Sequence, residues 1–331
     1  MSNIPWSRFV DVVNRSSRFL LTSHVRPDGD GIGSELAMAA ILESLGKDVA
    51  ICNAFATPPN LRFLDPTGKI QKQQPDAPAG QFDDRDALIV LDTSAWAQLG
   101  SMSHVVKTTR ANKLVVDHHQ SNDDLGAELF KNPHAEATGH LVIEAADQLG
   151  VALTPEIARP AFVAIATDTG WFRFASTTAD TLRLAARLVD VGVVPADLYR
   201  ELYETDSHAR LQLIGRAMAR TQTELDGRLI YTWLDQSDFQ AVGAVPSDSE
   251  DIINLTLAVG GTQVAVILVE QPTGGYKVSF RSRCNVDCSK LAEQFGGGGH
   301  KNAAGAFFHE PLESARPKVL EAVRAAMKHE D

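Results

Sequence analysis

The first two hundred residues alternate short apolar runs with segments of helical periodicity. Trp6, Phe9, Val10 and Val13 recur at helical spacing, so residues 5–17 are predicted to form a helix. RFLLTSH, DVAICN, ALIVLD and KLVVDH are short apolar runs bounded by polar or turn residues, which predicts buried strands. Between the first two, GIGSELAMAAILESLG reads as a helix ending at Gly46. Segments 137–150, 155–167 and 178–191 are further predicted helices. Residues 57–86, rich in Pro, Asp, Gln and Gly, are expected to be an irregular surface connection. Strands alternating with helices predict an α/β fold: a doubly wound, mostly parallel sheet with helices on both faces.

The pattern changes after residue 200. Residues 206–222 read as a helix with no strand beside it, and RLIYTWL, QVAVILVEQ and YKVSFRSR follow as strands. Helices are expected at 248–259, 286–295 and 312–329, giving a smaller C-terminal α/β domain. The expected division is a catalytic domain at 1–200, a linker helix region at 201–222 and a substrate-binding domain at 223–331, with a cleft between the two domains. A length of 331 residues suits two domains. GGGG at 296–299 is the one low-complexity tract.

Composition narrows the classes. Hydrophobic residues make up 44% and charged residues 22%, ordinary for a soluble globular chain. No run of about eighteen apolar residues predicts a membrane span. MSNIPWSRFV lacks the basic-then-apolar layout of a secretory signal. Three cysteines, Cys52, Cys284 and Cys288, are too few for a disulfide scaffold, so a cytoplasmic location is expected. The net charge of −11 argues against a partner such as long duplex DNA. An acidic protein that handles anions needs metal ions or a few well-placed arginines.

Candidate chemistry sits at strand ends. His24, Asp28 and Asp30 follow the first strand in SHVRPDGDGIGS; Asp92 ends ALIVLD; Asp117, His118 and His119 end KLVVDHH; Asp168 closes an apolar helix in AIATDTGWF. Alone, DGDG reads as a turn whose glycines suit positive φ, and Asp92 or Asp168 as a cap. Jointly they point elsewhere, because ligands of open parallel sheets bind outside the carboxyl ends of the strands. Crowded carboxylates need cations to stay ionised. Asp and His donors without cysteine suit Mn2+, Mg2+ or Fe2+ better than structural zinc. Two such ions about 3.5–4 Å apart can share a carboxylate and activate water against phosphorus. Adjacent His118 and His119 are expected to point opposite ways in an extended segment, one toward metal and the other toward substrate or packing.

These stretches resemble a known family. HVRPDGDGIGS, LDTS, VVDHHQSN and ATDTGWFRF are similar to the four successive motifs of DHH phosphoesterases, and SFRSR with GGGGHKNAAG resembles their associated C-terminal domain. The two-domain layout is similar to bacterial nanoRNases, oligoribonucleases also described as 3'-phosphoadenosine 5'-phosphate phosphatases. The resemblance implies a hydrolase with two divalent ions, manganese first and magnesium or iron(II) as alternatives. It implies that His24 and Asp28 bind one ion and Asp30 the other, that Asp92 bridges them, and that His118 and Asp168 complete the second site. His119 is implied to stand beside the scissile phosphate, with Asp117 orienting a neighbouring histidine.

On the substrate side, Arg281 and Arg283 leave YKVSFRSR at alternate positions, where a guanidinium fork suits phosphate. Gly297, Gly298 and Gly299 allow close approach of backbone amides to a phosphate, placing His300, Lys301 and Asn302 near a nucleotide. Trp171, Phe172 and Phe174 either pack in the core or stack on a base, with packing the stronger reading. The expected function is hydrolysis of short single-stranded RNA to 5'-mononucleotides, with 3'-phosphoadenosine 5'-phosphate as a further substrate. Cyclic di-AMP or linear dinucleotide hydrolysis is the alternative, and a non-catalytic nucleotide-binding module ranks below both. A family pyrophosphatase lacks the GGGGH-bearing domain, and a processive exonuclease needs an oligonucleotide-binding module not found here. A homodimer is expected from spare apolar helices.

Overall fold

A computed structural model describes residues 4–74, 80–120 and 123–328. Residues 75–79 of the expected irregular connection, and Ser121 and Asn122 of VVDHHQSN, lie outside the described residues. The chain divides into two compact units, Met1–Thr205 and Asp206–Asp331.

In the first unit the helices are α1 (Trp6–Arg15), α2 (Gly29–Ser44), α3 (Met102–Thr108), α4 (Thr138–Leu149), α5 (Pro155–Asp168), α6 (Ala179–Asp190) and α7 (Pro195–Tyr203). The strands are β1 (Arg18–Thr22), β2 (Asp48–Asn53), β3 (Ile70–Lys72), β4 (Ala87–Leu91), β5 (Asn112–Asp117) and β6 (Glu128–Lys131). They form one parallel sheet in the order β3-β2-β1-β4-β5-β6. Alternate side chains feed two cores, as period-two strands covered on both faces require. Phe19, Leu21, Ile89 and Leu91 enter the larger core with α1, α2, α4 and α5. Leu20, Leu88, Val90 and Val115 enter the smaller one with Met102 and Val106 of α3.

Chain order reverses between β1 and β4, which opens a crevice at their carboxyl ends. The expected irregular stretch 57–86 contains β3, paired to β2 at the edge of the sheet, and a 3-10 turn at Pro59–Leu64 that buries Leu61 in the larger core.

The glycines of DGDGIG do not form a positive-φ turn; they open α2. A Cβ on Gly29 meets Thr167 Oγ1 at 2.3 Å, one on Gly31 meets Ser23 Oγ at 2.6 Å, and one on Gly33 meets the Pro160 carbonyl oxygen at 2.4 Å. These positions require glycine for close approach. Asp28 caps the helix, its carboxylate accepting from the backbone N–H of Asp30 and Gly31.

The second unit holds helices α8 (His208–Ala219), α9 (Gln236–Val242), α10 (Ile252–Leu257), α11 (Cys288–Glu293) and α12 (Leu312–Lys328). Its strands β7 (Gln222–Glu224), β8 (Leu229–Leu234), β9 (Val264–Glu270), β10 (Tyr276–Ser282), β11 (Gly298–His300) and β12 (Ala303–Phe308) pair in the order β11-β12-β10-β9-β8-β7. Only β8 and β9 are parallel. α11 and α12 cover one face and α8, α9 and α10 the other. Helix α8, expected as a linker, instead buries Leu213 and Ala217 against this sheet and belongs to the second unit. No helix among the described residues is long and apolar enough to cross a membrane.

Candidate metal centre

The crevice at the β1–β4 switch gathers the carboxylates and imidazoles singled out by sequence. His24, in the loop after β1, uses Nδ1 on the Val25 carbonyl oxygen at 2.8 Å and turns Nε2 toward Asp28 at 3.5 Å and Asp92 at 3.3 Å. His118, after β5, uses Nδ1 on the Ala135 carbonyl oxygen at 3.1 Å. Its Nε2 lies 3.7 Å from Asp30, 3.6 Å from Asp92 and 3.6 Å from Asp168. A ring whose Nδ1–H is held by a carbonyl presents a lone pair at Nε2, the arrangement of a ligating histidine.

His118 and His119 do not point opposite ways as expected. Strand β5 stops at Asp117, so strand alternation no longer governs them, and their rings meet at 4.7 Å between centroids. His119 places Nδ1 2.8 Å from Asp117 and 3.7 Å from Asp92. Asp117 also accepts from the His119 backbone N–H, Ser94 Oγ and Lys131 Nζ. It is fully buried, with Oδ1 holding His119 and Oδ2 engaged by Ser94 and Lys131.

Asp30 is fixed differently. Its carboxylate accepts from the Thr138 and Gly139 backbone N–H groups at 2.7 and 2.9 Å, the free amides at the start of α4, and from Ser34 Oγ. Thr138 Oγ1 donates to Asp92 at 2.9 Å. Thr138, Ser94, Ser34 and Lys131 were not foreseen; each is a common residue, and the roles of Thr138 and Lys131 appear only once α4 and β6 are docked.

Three groups of donor atoms result, each within 4.8 Å: His24, Asp28 and Asp92; Asp30, His118 and Asp168; and Asp92, His118 and His119. Neighbouring ligands on a Mg2+-like octahedral ion lie about 3 Å apart. The donors are oxygens and imidazole nitrogens without thiolate, so the residues fit a hard or borderline divalent cation. Asp92 has φ of 61° and Arg26, in the His24–Asp28 loop, has φ of 54°. Such left-handed residues cluster where a site over-determines its backbone.

Charge crowding is visible in the protonation equilibria. Burial and then the charges of Asp92, Asp168 and Asp28 push Asp30 well above the usual carboxylate range. Burial likewise lifts Asp168 to about 6, against the pull of His118. For His24, burial opposes the charged ring, but hydrogen bonds to Asp28 and Asp92 outweigh it and raise the pKa to about 11. His119 is raised chiefly by its bond to Asp117.

Residues 18–165 match the DHH family, N-terminal domain, and residues 226–329 match the DHHA1 domain. A relative from Thermus thermophilus is 35% identical across 92% of this chain and 88% of its own length. The chain belongs to the DHH family. That relative is named bifunctional oligoribonuclease and PAP phosphatase NrnA, as is a Bacillus subtilis protein 24% identical across 94% of this chain and 95% of its own length. A solved exopolyphosphatase-related protein from Bacteroides fragilis superposes with a TM-score of 0.86 and 26% identity, covering 99% of this chain and 98% of that one. The DHH chain is a hydrolase of the phosphoesterase type.

Within the DHHA1 domain, Arg281 is half-buried and Arg283 exposed just beyond β10. Neither guanidinium has a carboxylate partner among the described residues. The glycine run pairs with β12 through β11. A Cβ on Gly297 meets the Gly305 carbonyl oxygen at 2.2 Å, and one on Gly299, at φ 150°, meets Ala304 Cα at 2.5 Å. These two glycines are therefore required by strand packing, whereas Gly298 faces open space. His300, Lys301 and Gly298 are exposed, as is Asn302, whose carbonyl oxygen accepts from the Ser282 backbone N–H.

Proposed function

We propose that this DHH-family hydrolase cleaves short single-stranded oligoribonucleotides to 5'-mononucleotides and also removes a phosphate from 3'-phosphoadenosine 5'-phosphate. The observation that carries the reading is that one buried carboxylate, Asp92, belongs to two groups of donors, one with His24 and Asp28 and one with His118 and His119. The names of the relatives supply the substrate class. His24 and Asp28 would hold one divalent ion, Asp30, His118 and Asp168 would hold the other, and Asp92 would serve both. Manganese is the first choice, since a donor set of carboxylates and imidazoles accommodates it readily. When bound, the ions supply charge neutralisation at the scissile phosphate and an acidified water.

His119 does the remaining proton work. Asp117 holds Nδ1, which leaves Nε2 facing outward and keeps the ring charged to higher pH. Nε2 donates to the departing ribose 3'-oxygen, the leaving group that yields a 5'-phosphate product. In the DHHA1 domain, Arg281, Arg283, His300, Lys301, Asn302 and the Gly297–Gly299 backbone contact substrate phosphates and sugar.

The test is a product ladder from labelled RNA of two to ten nucleotides, with 3'-phosphoadenosine 5'-phosphate and cyclic dinucleotides alongside, in manganese. Mononucleotide release from the shortest strands is expected; turnover of cyclic dinucleotides alone overturns the reading. Arg283→Ala is expected to raise KM about tenfold, the worth of one charged hydrogen bond, with little change in kcat.

Metal uptake carries a further expectation. His24, raised to about 11, holds a proton near neutrality that a cation must displace, and the upward shift of Asp30 adds to that competition. Affinity for Mn2+ therefore rises with pH, by roughly tenfold per unit for each proton released. Calorimetric titration in two buffers of different ionisation enthalpy measures the release; pH-independent binding without proton release contradicts it.

A further inference from the structure

The backbone after Asp168 is strained in a way the proposed chemistry does not need. Gly170, Trp171 and Phe172 adopt φ of 56°, 59° and 62° in succession. Bulky side chains rarely occupy this region, and where they do the surrounding structure forces it. Here Thr169, fully buried, clamps the turn. Its Oγ1 accepts from the Phe172 N–H at 3.1 Å, and its carbonyl oxygen accepts from the Arg173 and Phe174 N–H groups at 3.0 Å each. Arg173 Nε closes onto the Gly170 carbonyl oxygen at 2.7 Å.

The turn presents an aromatic surface. Trp171 rests one edge against Phe162 of the core at 6.0 Å between centroids. It also meets Tyr199 at 5.1 Å and Tyr203 at 5.7 Å, both on α7, and those two rings lie 5.0 Å apart. Tyr199, Tyr203 and Phe174 remain 39%, 46% and 54% exposed, more than core packing leaves in water. Arg173 is exposed and lies near enough to Tyr203 to act on its phenol, and its guanidinium has no carboxylate partner among the described residues. Exposed rings beside a guanidinium without a carboxylate partner are what single-stranded nucleic acid is held by: bases stack on the rings and the cation takes a phosphate.

We infer that Trp171, Tyr199 and Tyr203, with Arg173, form a stacking subsite for one unpaired nucleobase of the strand being cut, beginning three residues past Asp168. The subsite rests on the proposed cleavage of strands at the carboxylate cluster. It is tolerant of base identity, because every base offers a π face.

The test uses the full chain in manganese and a short RNA, together with strands of equal length lacking the base at each position in turn. Tyr199→Ala/Tyr203→Ala is expected to raise KM on intact RNA about tenfold with kcat nearly unchanged. It leaves KM unaltered on the one abasic strand that already lacks the stacked base. Tyr203→Phe, which keeps the ring, stays near the parent. An equal loss on every abasic strand, or no loss on intact RNA, overturns the subsite. So does a change in solution mass by light scattering, which assigns the face to a second copy of the chain. Metal-free binding of the same strands, read by fluorescence anisotropy, separates the two ideas. Base-dependent binding that the double variant abolishes upholds the subsite even if no strand is cut, whereas cleavage without base dependence overturns the subsite alone.

Discussion

Asp92→Asn is expected to lower hydrolysis of every substrate by at least about a thousandfold while leaving the fold intact. Loss of a single preorganised group that stabilises developing charge costs about a hundred- to a thousandfold, and Asp92 serves two donor groups at once. Asparagine is the informative replacement. It tolerates the left-handed backbone at this position, where φ is 61°, and its side-chain oxygen can still accept from Thr138 Oγ1. It removes the charge and almost nothing else. Alanine removes the hydrogen bond as well and places a Cβ residue without a local partner at positive φ, so its effect mixes strain with chemistry. Steady-state kinetics with circular dichroism as a fold control measure the outcome. Turnover within about tenfold of the parent would remove Asp92 from the chemistry.

Gly33→Val is expected to destabilise the first unit by about 3 kcal/mol, the upper end for overpacking a filled interior. The Cβ of any residue here meets the Pro160 carbonyl oxygen at 2.4 Å and Ala164 at 3.0 Å, through both N and Cβ. None of these atoms can swing aside, so α2 and α5 must separate. Valine's modestly better helix propensity than glycine offsets only a few tenths of a kcal/mol. For a domain of about 200 residues this lowers Tm by roughly 6–12 °C. Separation also moves Asp28 and Asp30, at the start of α2, away from Asp168, at the end of α5. Metal affinity in the folded variant therefore falls together with Tm. A melting temperature unchanged by calorimetry shows that the two helices are not in the contact described.

Strands buried on both faces were legible as unbroken apolar runs: every residue of β4 is buried, and β1 is buried after Arg18. β3 buries none of its three residues and β6 buries only Phe130, so neither carries an apolar run to read. The ligand candidates were legible because chemistry-bearing residues recur directly after strands, a local pattern. The orientation of His118 and His119 was not, because it depends on where pairing with β6 and the turn beyond β5 end the extended backbone. The glycines of DGDG were read for positive φ and those of GGGGH for approach to a phosphate, yet Gly29, Gly33, Gly297 and Gly299 are required by the neighbours they pack against.

By itself the sequence determined the element types, the parallel α/β order and the set of carboxylates and imidazoles at strand ends, since period and spacing are properties of contiguous residues. Only the tertiary structure decided which atoms meet. Asp30 is held by the first amides of α4, 108 positions away, and Trp171 finds its aromatic partners on α7. The physical reason is that such contacts arise from strand order and helix docking, which join distant segments through packing that no local window of residues encodes.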